Sequence, residues 1–241
     1  MMRAQGGVRF GPILLLIVVL AGLAGVGFWW WREHNREYLL RFQPKVGDTM
    51  RYFAEMNMSV QGQSMQMTLF FTQKVLKVQQ KGLLTIETRF DSGSLKTNGA
   101  SAPMPMMPPD VSTYRPNGQR VKAGQVVSPI GQFTEIGYPE KPVKVGYTWS
   151  ERQKSPDGSA IEAEYKIVGR ERVRNRETLK IAVTVRDVSD SNNPLTIMSG
   201  HQWVDLNGGI LVKLDAQFHQ VRMPMVGTMS VQGSFKVNLM P

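Results

Sequence analysis

The sequence of 241 residues contains no cysteine and only three histidines. The missing thiols exclude a disulfide framework, a cysteine nucleophile and a zinc site with cysteine ligands. The sequence also lacks the Gly-x-Ser-x-Gly, His-Glu-x-x-His and phosphate-loop motifs. His201 and Asp205, on one predicted strand, would lie about 13 Å apart, too far for a base and its orienting group. We therefore expect a protein that is not an enzyme and that has no cofactor and no metal site.

Acidic residues are scarce as well, since 19 Asp and Glu stand against 29 Lys and Arg, a formal charge of +10. Residues 1–45 carry +4 of this charge, and the densest cluster elsewhere lies between Lys166 and Lys180. That cluster contains no aromatic residue, whereas nucleic-acid surfaces usually interleave the two. Nucleic acid is therefore not an expected partner, and the cluster is either a solvated turn or a contact for acidic headgroups.

A long apolar segment near the N-terminus has no charged residue from Phe10 to Trp31. Residues 11–31 are enough to cross about 30 Å of hydrocarbon as a helix, and aromatic and basic residues mark its interface. These interfacial residues are Trp29, Trp30, Trp31 and Arg32. A cleaved signal peptide ending near Gly22-Leu23-Ala24 is the alternative, but its apolar core would be shorter.

The expected topology is a basic cytoplasmic tail over 1–10, a single-pass inner-membrane anchor over 11–31 and a C-terminal domain in the periplasm or extracellular space. The bilayer is thus an expected partner through residues 11–31. We expect the helix to continue as a juxtamembrane segment or linker over 32–44, because Tyr38, Leu39 and Phe42 share a helical stripe that Pro44 ends.

From residue 45 the hydrophobic pattern changes to a period of two, which is typical of antiparallel strands with one buried face. It predicts an all-β domain over 45–241, a curved sheet, sandwich or open barrel of about nine to eleven strands. Asn207-Gly208 predicts a tight hairpin with two positive φ angles. The segment Lys45–Met50 recurs as Lys144–Trp149, which suggests two related β-meanders in a first half, 45–91, and a second half, 144–241.

Residues 92–143 separate the two halves and differ from them in composition. Ala100–Pro109 contains four prolines and three methionines, so it is not expected to form a helix or a central strand. Pro116-Asn117-Gly118 predicts the turn of a small hairpin. We expect this Pro/Met-rich segment to fold over an apolar surface.

The segment Tyr138–Trp149 resembles a Pro-x-Lys-Pro-Val-x-Val-Gly-x-x-Trp motif of uncharacterised bacterial secreted proteins and lipoproteins. The resemblance extends to Tyr165–Val173 and Trp203–Val212. It implies an extracytoplasmic all-β domain with a curved sheet similar to that of lipoprotein-localisation carriers, which hold acyl chains in a half-open barrel. This chain has no cysteine to acylate, so its expected anchor is the helix.

Methionine is the informative excess, with 15 residues that include several Met-x-Met pairs. In a strand both members of a pair point to one face. They are either plain core, an adaptable surface for an apolar ligand, or soft ligands for Cu(I). We expect a non-enzymatic binding protein that holds a lipid or other apolar ligand, the alternative being an envelope interaction protein with a fully packed core. The expected ligand-binding residues are Met56, Met58, Met65, Met67, Phe70, Met104, Met106, Met223 and Met225.

Overall fold

A computed structural model describes residues 35–60, 62–122, 137–154, 160–190, 193–222 and 230–241. The chain divides into two compact units, Met1–Glu37 and Tyr38–Pro241. The predicted tail, anchor and interfacial residues Trp29, Trp30, Trp31 and Arg32 lie outside the described residues. Within the ranges given above, no helix has both the length and the apolar character needed to cross a bilayer.

The second unit is all-β, and its described part contains twelve strands, one more than the upper limit expected from the sequence. In chain order they are β1 Thr49–Val60, β2 Gln63–Val78, β3 Leu84–Thr97, β4 Ala100–Pro103, β5 Asp110–Tyr114, β6 Arg120–Lys122, β7 Thr148–Lys154, β8 Ala160–Val173, β9 Arg176–Asp187, β10 Leu195–Asp205, β11 Leu211–Arg222 and β12 Ser230–Leu239.

All twelve strands belong to one curved antiparallel sheet, and in the described residues its end strands, β6 and β7, are not paired with one another. Its order is β6-β5-β3-β2-β1-β12-β11-β10-β9-β8-β7, and β4 pairs with β3 beside this path. The inner face carries the core, and the burial alternates strictly along β1 from Tyr52 to Met58. Tyr138 lies near both Tyr52 on β1 and Tyr165 on β8, and all three are buried in the same core cluster. Because four strands separate β1 from β8 in the sheet, the inner face must curve round to bring these tyrosines near one another.

The predicted repeat forms the same turn twice. Gly47 and Gly146 have φ angles of +88° and +89°, which the missing Cβ permits. Each glycine donates its N–H to the second strand of its hairpin, to the Val75 carbonyl at 2.9 Å and to the Ile167 carbonyl at 2.8 Å. The β1-β2-β3 and β7-β8-β9 meanders therefore begin in the same way.

The described part of the predicted 32–44 helix is extended, so that prediction is wrong for residues 35–44. Tyr38 forms an antiparallel bridge with Val143, and Tyr38 and Leu40 are buried while Leu39 is 48% exposed. A period of two thus replaces the helical stripe, because Tyr38 pairs with Val143 and both Tyr38 and Leu40 are buried in the core. Phe42 continues it with a hydrogen bond from its N–H to the Pro116 carbonyl at 2.7 Å.

The segment 92–143 contains more regular structure than its composition suggested. β3 continues to Thr97, and β4 follows as a short edge strand that ends at Pro103, where a missing N–H costs no ladder hydrogen bond. The Pro116-Asn117-Gly118 turn joins β5 to β6 as expected, with Gly118 at a φ of +83°. Residues 123–136 lie outside the described residues.

The hairpin between β10 and β11 forms, but its tight two-residue turn does not. The positive φ lies at Gly209, at +64°, and the Gly209 N–H donates to the Asp205 carbonyl at 2.9 Å. The Asp205 side chain accepts from the Asn207 N–H at 3.3 Å and from Arg176 at 3.2 Å. This carboxylate stabilises a wider loop, which the local Asn-Gly signal did not indicate.

Replacing Asp205 by alanine should lower the free energy of unfolding by about 2–3 kcal/mol, since it removes two acceptors from a nearly buried position and leaves Arg176 without its partner. The Asp205 side chain is 6% exposed and that of Arg176 is 45% exposed, which moderates the cost. Urea unfolding monitored by tryptophan fluorescence measures it. Asp215→Ala is the matched control, because its pair with Lys213 is exposed and 3.8 Å long; an equal loss in both variants would contradict the prediction.

Candidate functional site

Four methionines of the first hairpin lie on the inner face of the sheet as two cross-strand pairs. Met56 of β1 stands directly opposite Met67 of β2, and Met58 stands opposite Met65. The two methionines of each Met-x-Met pair are two residues apart, so both side chains point to the same face of the sheet. The hairpin then places the two pairs against one another.

Their burial changes across the hairpin. Met56 is 4% exposed and Met58 is 9% exposed, whereas Met65 and Met67 are only partly buried and pack against the core from its edge. The partly buried pair belongs to β2, which lies nearer the β6 end of the open sheet. The four methionines thus extend from the buried core towards its partly exposed border.

A fifth methionine reaches the same face from the Pro/Met-rich segment. The Met104 N–H donates to the Gly93 carbonyl at 3.0 Å, which continues the β3–β4 pairing by one step. Its Sδ lies 3.3 Å from the position that a Cβ on Gly93 would occupy, and Leu69 Cδ2 lies 2.8 Å from that position. Leu69 and Met104 together therefore fill the space that Gly93 leaves open. We call Met56, Met58, Met65, Met67 and Met104 the methionine face.

The register identifies neighbours that the methionine pattern alone did not reveal. Phe235 stands beside Met56, Leu95 stands beside Met67, and Gly233 lies beside Met58. Beyond Gly233 the row continues to Phe218 and then to Met198, both buried. The one sequence signal for these neighbours is a glycine inside a strand. Gly93 and Gly233 mark positions that other groups approach closely.

Four of the expected site residues are not placed with these five. Phe70 lies on the outer face, 37% exposed, with its ring centroid 5.1 Å from that of Phe53. Met106 is 72% exposed, although the following Met107 packs against the core. Met223 and Met225 lie outside the described residues.

Tyrosines pack the inner face beside the Lys45 and Lys144 turns. Burial raises the pKa of Tyr52 and of Tyr138 well above the ordinary value of a phenol, so both remain neutral. The Tyr138 hydroxyl donates to the Gly209 carbonyl at 2.9 Å. Trp149 donates its indole N–H to the Gly137 carbonyl, also at 2.9 Å. At this end of the inner face the Tyr138 and Trp149 polar groups are thus hydrogen-bonded to backbone carbonyls.

The histidines of β10 and β11 lie on the outer face. His201 stands 6.0 Å from the Trp203 ring, and burial, with the nearby Lys180 charge, lowers its pKa. His219 Nε2 forms a hydrogen bond with Ser199 Oγ at 2.8 Å. Neither histidine faces the methionines. In the part of the chain that the structure describes, no cluster of three His, Asp or Glu residues could hold a metal ion.

The most structured group on the outer face surrounds Trp203. Its indole N–H donates to Glu171 at 2.7 Å, and this hydrogen bond lowers the pKa of that carboxyl. Lys180 and Lys213 lie over the ring, with their Nζ atoms 5.2 and 4.3 Å from its centroid. Trp203 is therefore 7% exposed although it points outwards. The polar and charged groups around Trp203 thus interact with one another, which is typical of a packing arrangement.

No protein-family model matches this sequence, and no curated protein sequence matches it significantly. Its fold is similar to that of a Bacteroides fragilis protein provisionally assigned as exported, with a YmcC-like fold, at 9% identity, 84% coverage of this chain, 100% of the other and a TM-score of 0.36. A DUF1329 family protein from Desulfovibrio piger is 11% identical over 80% of this chain and 84% of its own, with a TM-score of 0.25. Likenesses of this size carry no argument about function, which therefore rests on the residues.

Proposed function

We propose that this chain is a non-enzymatic, membrane-anchored binding protein outside the cytoplasm that holds an acyl chain or another apolar ligand against the methionine face. The observation that carries the proposal is the convergence of Met65, Met67 and Met104, each partly buried, on the inner face of an unclosed sheet. The anchor and the compartment are supported by the apolar segment 11–31 of the sequence.

Methionine suits such a surface because its unbranched, polarizable side chain adapts to irregular apolar partners. Each methylene buried contributes about 0.8 kcal/mol, so eight methylenes of an acyl chain would contribute roughly 6 kcal/mol before the costs of binding. A straight chain needs no hydrogen-bonding partner. An apolar surface is therefore sufficient to hold it.

Met104 is the side chain that a ligand would displace. It comes from the connection between β4 and β5, and its thioether occupies the space above Gly93. Rotation of this one flexible side chain would expose Gly93 and the flank of Leu69 without breaking a strand. The proposed binding step is this exchange of an internal methionine for an external apolar chain.

The second candidate is an envelope interaction protein whose core is already complete. It is favoured by the burial of Met56, Met58, Phe218 and Phe235, all 9% exposed or less without a ligand. In that case Met65, Met67 and Met104 are the border of an ordinary core. The two candidates differ in whether an apolar molecule competes for the methionine face.

Photo-crosslinking with a diazirine fatty acid tests the proposal on the full chain in neutral detergent. We expect labelling of peptides that contain Met65, Met67 or Met104, and we expect oleic acid to compete with it. Met67→Gln should reduce competable labelling about tenfold, because an amide desolvated without a partner costs about 1–2 kcal/mol.

Met106→Gln is the matched control, since it makes the same chemical change at a side chain that is 72% exposed. It should leave the labelling unchanged. Equal labelling of both variants, or labelling that oleic acid does not reduce, would favour the packed-core protein. Saturable Cu(I) binding that Met67→Gln weakens would instead favour the minor alternative, a thioether copper site.

A further inference from the structure

A charged groove lies on the outer face of β1, β2 and β3, away from the methionine face. It has a volume of about 200 Å³ and is lined by Thr49, Arg51, Thr72, Lys74, Glu87 and Arg89. In β1 the buried residues have even numbers, and the odd-numbered Thr49 and Arg51 face outwards. The groove is therefore separate from the proposed apolar site.

The register arranges these residues in two neighbouring rows. Arg51, Thr72 and Arg89 form one row across the three strands, and Thr49, Lys74 and Glu87 form the next. Adjacent strands are about 4.8 Å apart, so the two arginines stand about 10 Å apart with Thr72 between them. Long side chains from the two flanking strands and from Lys74 can meet above that threonine.

The cations of the groove are incompletely neutralised. Arg89 pairs with Asp91 at 3.0 Å, and the Thr72 hydroxyl donates to the same carboxylate at 2.5 Å. Among the described residues, no carboxylate lies within 4.0 Å of the charged groups of Arg51 or Lys74, although Glu87 is the cross-strand neighbour of Lys74. The lining residues carry three positive charges and one negative charge, and Asp91, beside Thr72 and Arg89, adds a second negative charge, so a net charge of +1 remains.

The chemistry of the lining fits a tetrahedral oxyanion. A guanidinium presents a planar fork that matches two phosphate oxygens, and an ammonium adds a compact charge for a third. The groove volume of about 200 Å³ is room for one phosphate group. An anion bound there would also relieve the repulsion between Arg51 and Lys74.

We propose that this groove binds a phosphate or phosphodiester group. The group is supplied either by a soluble phosphate compound or by the headgroup of an anionic lipid, which share the same recognised oxygens. Arg51 and Lys74 make the principal contacts. The groove acts independently of the methionine face.

Calorimetric titration of the full chain in neutral maltoside micelles tests this proposal. The probes are inorganic phosphate, glycerophosphoglycerol and a short-chain phosphatidylglycerol in mixed micelles. We expect saturable binding of phosphate that weakens as the chloride concentration rises, because exposed charges are screened. Arg51→Gln combined with Lys74→Gln should weaken it at least about tenfold, because the substitutions remove both charge-assisted contacts to the anion.

The matched control is Lys96→Gln combined with Lys166→Gln, which removes the same charge from exposed strand positions outside the groove. It should change the affinity by less than about twofold, as expected for a distant charge in screened solvent. Equal weakening by both double variants, or no saturable binding of any probe, would overturn the proposal. Tighter binding of the lipid than of the free diester identifies a headgroup as the source, and equal binding identifies a soluble compound.

A conservative variant separates recognition from folding. Arg51→Lys keeps the charge but removes the planar fork, so it should weaken binding by an intermediate amount while the unfolding midpoint stays unchanged. A binding loss accompanied by an equal change in the midpoint of every variant would mean that the groove residues only stabilise the sheet.

Discussion

Replacing Phe235 by alanine should lower the free energy of unfolding by about 3–5 kcal/mol. Phe235 is 0% exposed and lies on the inner face of β12, opposite Met56 on β1 and Ala216 on β11. Its ring is stacked on Phe218 with a centroid distance of 6.1 Å. Its removal leaves a cavity at the junction of the two halves of the sheet, where strands on both sides limit collapse.

Urea unfolding of the full chain, with matched m-values, measures this loss. Phe53→Ala is the control, because Phe53 lies on the same strand as Met56 but faces outwards and is only partly buried. Its loss should be clearly smaller. Similar losses for the two phenylalanines would mean that the inner face is not the main core.

The same variant connects stability with the proposed function. The cavity left by Phe235 borders Met56, so it would enlarge the apolar space beneath the methionine face. A fatty acid that enters this space binds the folded state only and should recover part of the lost stability, by an amount that rises with the logarithm of its concentration above Kd. If the Phe235→Ala variant does not bind the fatty acid, its lost stability will not be recovered.

The sheet itself could be predicted because its strands have one apolar face. The alternation from Tyr52 to Met58 depends only on neighbours in the chain, and it survives in the fold. The Lys45 and Lys144 turns were also visible, since a glycine at positive φ leaves a short, repeated signature. Local chemistry decides both features.

The errors arise where tertiary contacts override local pattern. Tyr38, Leu39 and Phe42 are compatible with a helical stripe, but the bridge between Tyr38 and Val143 fixes an extended backbone. Asn207 and Gly208 carry a tight-turn signal, yet the Asp205 carboxylate holds a wider loop. Val143 is far from Tyr38 in the sequence, and Asp205, although close to Asn207, is paired with the distant Arg176.

The methionine pairs show how much of the candidate site can be predicted from the sequence. The period of two predicts that Met56 and Met58 share a face, and hairpin pairing places Met65 and Met67 opposite them. Phe70 was grouped with them, but three steps from Met67 place it on the other face. The contribution of Met104 depends on the β3–β4 pairing, which no periodicity indicates.

Replacing Gly200 by valine should destabilise the fold by about 3 kcal/mol, although valine is the better strand former. A Cβ on Gly200 would stand 2.3 Å from the Asp215 carbonyl oxygen and 2.5 Å from the Ala216 Cα, both backbone atoms of β11. Those atoms cannot yield unless β10 and β11 move apart. The strand preference of valine and the packing of this sheet therefore predict opposite signs for the change in the free energy of unfolding.

Gly169→Val is the control that isolates the packing effect. Gly169 lies at a register shift of β8, and a Cβ there would meet nothing within 4 Å. This substitution should be neutral or stabilising in the same urea experiment, because it reduces the entropy of the unfolded chain. If Gly200→Val is neutral as well, the close approach of β10 to β11 is not required. If only Gly200→Val destabilises, the close contact of Gly200 with Asp215 and Ala216 is required for the packing of β10 against β11.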